Sequence, residues 1–127
     1  MKRMTLSWGS VHLFRNEANA KFVPRTAWID ASDVKWVRAM YEVAAMQADA
    51  KRRFAYQVAN SETEVEPAVA IGNAPTADGF HRGVRTDISA ATTGKQLIRF
   101  GYLAYNNAAD NVLLGIAAGG NVDIYSC

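Results

Sequence analysis

The sequence predicts an all-β protein, an antiparallel β-sandwich or jelly roll that forms a single domain over residues 1–127. Three observations favour this fold class. The apolar residues fall in short runs bounded by glycine, asparagine and proline, as in strands joined by turns. Within most runs apolar and polar side chains alternate, which is typical of strands with one buried face. Half of the residues are hydrophobic and a fifth are charged, so a chain of this length can bury a core without a disulfide.

The first 30 residues contain two strand-like runs. Residues 5–14 change their buried face at residues 9–10, which predicts a β-bulge there. Residues 22–29 are also apolar, but Pro24 lacks the N–H that a sheet ladder needs, which predicts an edge or crossing segment. Because residues 1–25 carry bulky aromatic side chains outside the main run of strands, we interpret them as an N-terminal contact arm.

Residues 33–59 allow two interpretations. Apolar and polar side chains alternate before and after the polar residues 47–53, which predicts two strands joined as a hairpin. The same stretch is rich in alanine and methionine, and Ser32 or Asp33 could cap a helix over it, which gives an α+β fold as the alternative. Tryptophan, tyrosine and valine within residues 36–43 are β-prone, so we expect the strands.

The second half of the chain predicts further short strands separated by turns. Residues 92–95 are a turn, and residues 119–121 have the Gly-Gly-Asn composition of a tight hairpin turn. The clearest strand covers residues 96–105 and has Ile98, Phe100, Tyr102 and Ala104 on one face. The expected strands cover residues 68–72, 85–88, 96–105, 112–116 and 122–125.

The sequence contains no motif for catalysis, a cofactor or a metal. A transition-metal site needs three or four ligands, and the two histidines, His12 and His81, have no cysteine or second histidine at ligand spacing. A nucleophile elbow and a phosphate-binding loop are both absent from the sequence. One local grouping, His81 with Asp78 or Asp87, is the candidate for a dispersed catalytic site. We therefore predict a protein that is not an enzyme and holds no cofactor.

Charge and hydropathy argue against nucleic acid and membrane partners. The net charge is only +2, and we interpret the densest basic run, residues 51–53, as a solvated turn. No run approaches the ~20 apolar residues of a membrane span, and no signal peptide is recognisable, so we expect synthesis in the cytoplasm. The single cysteine, Cys127, cannot form an internal disulfide; it is either an idle thiol or a cross-link to a second chain.

The succession of strands from Trp36 onward resembles a galactose-binding-like β-sandwich. Residues 36–43, 55–60 and 97–102 carry this resemblance, which extends over roughly two-thirds of the chain. Sandwiches of this kind occur in carbohydrate-binding modules and in virion accessory proteins such as phage head decoration proteins. The resemblance therefore implies either a structural subunit of a virion or a module that binds glycan.

We expect a non-enzymatic structural protein, foremost a phage capsid decoration or minor structural subunit located in the virion. Its partners would be other protein subunits, either copies of itself in a homo-oligomer or a capsid lattice. The alternative is a carbohydrate-binding module with a glycan as its partner. Because large aromatic rings dominate interface energetics, the candidate contacts are Trp8, Phe14, Phe22 and Phe80. We expect most of the tryptophans to lie in the core.

Overall fold

The structure is a computed structural model that describes residues 3–15, 21–32, 34–44, 50–72, 79–106 and 112–125. Over these ranges most residues are in strands, and one four-residue helix, α1, lies at Ser89–Thr92. The strands are β1 (Arg3–Arg15), β2 (Lys21–Pro24), β3 (Ile29–Asp30), β4 (Trp36–Ala44), β5 (Ala50–Ser61), β6 (Glu64–Val65), β7 (Val69–Ala70), β8 (Gly79–Arg82), β9 (Thr86–Asp87), β10 (Leu97–Asn106) and β11 (Val112–Tyr125). The all-β prediction is confirmed.

The strands form two antiparallel sheets. The first sheet has the order β1-β11-β4-β8, and β9 also pairs with β4. The second sheet has the order β2-β10-β5-β6, with β3 on β10 and β7 on β5. Strands near the two ends of the described chain, β1 and β11, are neighbours in the first sheet. The fold therefore depends on pairings between distant parts of the sequence.

An aromatic core lies between the sheets. Phe54 and Phe100 stack with their ring centroids 5.9 Å apart, and Tyr41 meets Tyr102 edge-on at 5.3 Å. Aromatic pairs at such separations contribute about 0.5–1.5 kcal/mol beyond the area that they bury. The aliphatic residues around them come from alternate positions of the long strands: Val37, Val58, Ile98, Val122 and Ile124. This packing of two faces makes the molecule a β-sandwich.

Where the structure describes residues 33–59, they form the strands β4 and β5 rather than the alternative helix, but these two strands do not form the predicted hairpin. β4 pairs with β11, β8 and β9 in the first sheet, whereas β5 pairs with β10, β6 and β7 in the second. Each strand has one apolar face, and the two faces meet across the core instead of lying side by side. The basic residues 51–53 belong to β5 and not to a turn, and Arg53 donates to the carbonyl of Gly72. Asp33 lies outside the described residues.

The predicted β-bulge in β1 and the predicted turn at residues 119–121 both differ in the structure. β1 keeps one register past Gly9, and its register shifts between Leu13 and Phe14 instead. The expected turn at residues 119–121 is a bulge within the continuous strand β11, which shifts register against β4 between Ala117 and Gly120. Gly119 adopts φ +91°, a left-handed conformation that suits a bulge as well as a turn.

The first 25 residues are part of the sandwich where the structure describes them. β1 is the outer strand of the first sheet, and β2 lies at the outside of the second sheet and ends at Pro24. The edge position predicted from Pro24 is confirmed. The arm is therefore two strands within the sheets, and its role as a contact segment stays a prediction.

Candidate interaction surface

Trp8 lies in the core, although its large ring made it a candidate contact. The indole is 9% exposed and stacks on Phe54 at 6.2 Å. Its Nε1–H donates to the Oη of Tyr102 at 2.9 Å across the two sheets. Burial raises the pKa of Tyr102, so this hydroxyl remains neutral in the folded protein. Trp8 therefore joins the sheets and is left out of the surface considered below.

Phe22 is half-buried on the outer face of the second sheet. The guanidinium of Arg99 lies 5.7 Å from the ring of Phe22 and 4.3 Å from the ring of Trp28. Two nitrogens of Arg99 also donate to the Oε1 of Gln57, at 2.9 and 2.7 Å. Cation–π contacts of this kind hold both rings in place at the surface. The side chain of Phe14, the neighbouring candidate in β1, lies outside the described residues.

The outer face of the first sheet carries a matching cluster. Arg85 lies 4.8 Å from the ring of Trp36 and 4.6 Å from that of Tyr125. The expectation that most tryptophans are core thus holds for Trp8 but not for Trp28 or Trp36. The alternation of side chains along β4 predicts the outward position of Trp36, because Trp36 directly precedes the buried residue Val37 and neighbouring side chains of a strand point to opposite faces.

A polar network completes this outer face. The carboxylate of Asp123 accepts a hydrogen bond from Thr5 Oγ1 at 2.6 Å and one from Arg38 at 3.3 Å. The Thr5 hydroxyl, followed by the Arg38 guanidinium, lowers the pKa of Asp123 against the opposing effect of burial. These groups tie β1, β11 and β4 together across the sheet. They stabilise the sheet itself.

Among the candidate contacts whose side chains the structure describes, Phe80 is the one with an exposed ring. Its side chain is 66% exposed on β8, the outer strand of the first sheet, and Val84, just beyond the strand, is 80% exposed. We call residues 79–84 the β8 edge. Exposed apolar side chains grouped in this way mark interaction sites in soluble proteins.

A cleft of about 290 Å³ opens beside the β8 edge, between the two sheets. Phe54 lines it from the second sheet, and His81 lines it from the first. The imidazole of His81 faces inward, with its centroid 5.9 Å from that of Tyr41. The side chains of β8 therefore alternate, with Phe80 and Arg82 outside and His81 inside.

His81 and Asp87 lie on opposite faces of the first sheet, because Asp87 pairs with the outward-facing Trp36 whereas His81 faces inward beside Tyr41. The carboxylate of Asp87 accepts from the hydroxyl and the backbone N–H of Ser89, at 2.6 and 2.8 Å, and these two bonds lower its pKa. Asp78 and the side chain of His12 lie outside the described residues. Within the described ranges, no three residues of the types His, Cys, Asp and Glu gather as metal ligands. None of the helical residues described is in a helix long and apolar enough to cross a membrane.

A second, shallow groove of about 450 Å³ lies at the end of the second sheet. Trp28 forms one side of it, and Asp30, Lys95 and Gln96 supply polar groups. The Asp30 carboxylate accepts from the backbone N–H and the hydroxyl of Ser32, which lower its pKa. An aromatic ring beside hydrogen-bonding groups is the combination that binds a sugar ring.

Neither a protein-family model nor a curated protein sequence matches the chain. Solved structures do match it. A chain in the structure of infectious bursal disease virus strain Gx has a TM-score of 0.64 and 9% identity, covering 99% of this chain and 34% of that one. The VP2 subviral particle of the same virus matches with a TM-score of 0.64 and 11% identity, covering 97% and 32%. A chain in the structure of strain Gt has a TM-score of 0.63 and 10% identity, and the match covers 97% of this chain and 32% of that one.

At these identities the likeness shows the fold. The two-sheet arrangement is a β-sandwich like the one in these virus structures, which confirms the sandwich but not its galactose-binding-like form. The chain spans about a third of the length of the chains that it matches.

Proposed function

We propose that this protein is a structural subunit of a virus particle that acts by packing against other protein subunits and catalyses no reaction. The observation that carries the proposal is the match of the sandwich, over 97–99% of the chain, to chains in structures of infectious bursal disease virus. One of these structures is a subviral particle.

The surface of the first sheet supports the same role. Both of its outer strands expose an apolar side chain: Met4 on β1 is 45% exposed and Phe80 on β8 is 66% exposed. Aromatic residues and methionine are enriched in protein interfaces relative to the remaining surface. Among the described residues, no three side chains of the types His, Cys, Asp and Glu are grouped so that they could hold a metal ion.

The finer assignment is a decoration or minor structural subunit in the virion that assembles as a homo-oligomer or on a capsid lattice. The outer strands β1 and β2 would give the first 25 residues their role as a contact segment, with Phe22 held on the outer face by Arg99. Phe80 contributes from the opposite edge of the first sheet.

An antibody against the chain tests the proposal on material from its source. Particles are pelleted, separated on a density gradient and examined by immunogold electron microscopy. We expect gold on regular particles and peptides of the chain in the particle band. A chain recovered only from fractions without particles would overturn the proposal.

The groove beside Trp28 supports glycan binding as a second candidate function. A sugar would contact the indole, donate a hydrogen bond to the carboxylate of Asp30 and exchange hydrogen bonds with the amide of Gln96. A glycan array would then give hits that Trp28→Ala loses, while Phe80→Ala, a change outside the groove, retains them. An array without hits, together with tryptophan fluorescence unmoved by sugars, would remove this candidate.

A further inference from the structure

We propose that two copies of the chain pair through β8, antiparallel about a two-fold axis at His81, so that their first sheets join. This inference rests on the proposed structural role and deepens it by naming a second copy as the partner of the β8 edge. Closed two-fold dimers are the commonest symmetric assembly, and they use the same surface on both subunits.

The backbone of β8 has an open side. The N–H of Gly83 donates to the carbonyl of Ala39 at 2.8 Å, in the register that sets His81 opposite Tyr41. Hydrogen-bonded and non-hydrogen-bonded pairs alternate along an antiparallel ladder, so His81 also directs its backbone groups toward β4. Phe80 and Arg82 consequently direct their N–H and C=O groups away from β4. Among the described strands, none lies on that side of β8.

The outer strands of the second sheet end in proline or are only two residues long, whereas β8 is a four-residue strand without proline. Proteins protect exposed edges with proline, with charges or with very short strands. β2 ends at Pro24, and β6 has two residues, one of which is Glu64. β8 contains no proline and exposes both Phe80 and the charged residue Arg82, and in the proposed pairing Arg82 lies opposite Phe80 of the second copy rather than opposite a like charge.

The side chains select the register of the pairing. Directly opposite residues in an antiparallel pair share a face, so the two-fold axis must pass through a residue of β8. An axis at Arg82 would place two arginines opposite each other, which is destabilising. An axis at Phe80 would place Arg82 opposite residue 78, beyond the start of the strand at Gly79, where φ is +127°. An axis at His81 keeps the pairing within the strand.

With the axis at His81, Phe80 lies opposite Arg82 of the second copy, and this pair occurs twice. The paired residues are those with open backbone groups, so four intermolecular hydrogen bonds form. The guanidinium of Arg82 can cover the ring of Phe80 in a cation–π contact. Glu42 is the neighbour of Phe80 within its own sheet, so the arginine also approaches an exposed carboxylate of opposite charge. Neighbouring strands are ~4.8 Å apart, which places Glu42 within reach of a long side chain two strands away.

Substitution of Phe80 tests the interface against a matched position. Phe80→Lys places a lysine opposite Arg82 of the second copy, and Met4→Lys makes the same change on the other outer strand of the sheet. Light scattering on a sizing column over a range of concentrations should show a dimer for the wild type and for Met4→Lys. Phe80→Lys should weaken association by about tenfold or more, because the repelling pair occurs twice. A dimer disrupted by Met4→Lys and not by Phe80→Lys would overturn the proposal in favour of β1.

Single cysteines test the register. In a Cys127→Ser background, cysteine is introduced at position 80, 81 or 82, and each variant is oxidised mildly after circular dichroism has confirmed its fold. Only His81→Cys should give a disulfide-linked dimer, because only residues on the axis bring their Cα atoms within the 4.4–6.8 Å that a disulfide spans. Cross-linking at 80 or 82 instead, or at none of the three, would overturn the pairing.

The test of pairing through β8 and the test of the proposed structural role can fail independently of each other. A wild-type chain that is monomeric at every concentration overturns pairing through β8, while immunogold labelling of particles still upholds the structural role. A dimer linked at position 81, in a protein that no particle contains, upholds the pairing and overturns the role.

Discussion

At the residue scale, the hydrogen bond between Trp8 and Tyr102 links the two sheets within an apolar core. The indole N–H and the phenolic hydroxyl are 2.9 Å apart and both side chains are buried. Neither group has water as an alternative partner when the other is removed. The free energy of this contact is therefore set by the cost of leaving one polar group unpaired.

Tyr102→Phe should lower the free energy of unfolding by about 1–3 kcal/mol, because the buried indole N–H then lacks an acceptor. Urea unfolding of the wild type, Tyr102→Phe, Trp8→Phe and the double variant measures this. The double variant should lose less than the sum of the two single losses, since each change alone removes the same bond. Additive losses would contradict the coupling of the two side chains.

The same tyrosine predicts a dependence of stability on alkaline pH. Burial raises the pKa of Tyr102 above its ordinary value of 10.0, so the hydroxyl stays neutral in the folded chain while it ionises in the unfolded one. The contribution of the neutral Tyr102 hydroxyl to the free energy of unfolding is fully present below pH ~10 and is lost as the pH rises beyond that value. Burial also raises the pKa of Tyr56, so part of the effect remains without Tyr102.

Unfolding free energies measured between about pH 9 and pH 11 should therefore fall less steeply for Tyr102→Phe than for the wild type. Tyr56→Phe is the comparison that removes the other contribution. Equal slopes for Tyr102→Phe and the wild type would contradict the burial of the hydroxyl.

Side-chain positions were predictable from the sequence only where the strand parity was used. The alternation along residues 97–102 correctly placed Ile98, Phe100 and Tyr102 on the buried face. The expectation that tryptophans are core was compositional, and it was wrong for Trp28 and Trp36. Their outward rings are held by Arg99 and Arg85 from other strands or loops, and no local pattern reveals such partners.

At the element scale, β2 and β10 approach each other more closely than any side chain at Gly101 would allow. A Cβ at this position would lie 2.1 Å from the carbonyl oxygen of Val23 and 2.8 Å from the Cα of Pro24. Both atoms belong to backbone and cannot rotate away. The glycine is therefore required for the pairing of β2 with β10.

Gly101→Ala should destabilise the protein by about 1–3 kcal/mol, because β2 must move away from β10 to admit the methyl group. Gly9→Ala is the matched control, since a Cβ at Gly9 meets no atom within 4 Å. Thermal unfolding followed by circular dichroism should show a lower Tm for Gly101→Ala and little change for Gly9→Ala. Equal values of Tm would contradict the close approach.

The strands were predictable from the sequence, but their partners were not. Alternation reports which face of a strand is buried, and this identified β4, β5 and β10 as strands. It does not report which strands pair, since facing strands and neighbouring strands both bury one apolar face. The expected hairpin of β4 and β5 failed for that reason. The Gly-Gly pair in β11 was equally ambiguous, because it suits a bulge as well as a turn.

At the scale of the whole molecule, the apolar faces of the two sheets are buried against each other, and exposed apolar side chains lie on the outer strands of the first sheet. The first sheet ends in β1 on one side and β8 on the other, each with an exposed apolar side chain. The second sheet ends in strands that are short or closed by proline. Under the proposed structural role and the proposed pairing through β8, subunit contacts would use the outer strands of the first sheet together with Phe22 on β2.

Cryo-electron microscopy of particles that carry the chain tests the structural role most directly. The account predicts density for a two-sheet sandwich at symmetry-related positions, in contact with neighbouring protein subunits. A reconstruction in which other chains account for every repeating density, with no sandwich left to assign, would contradict it.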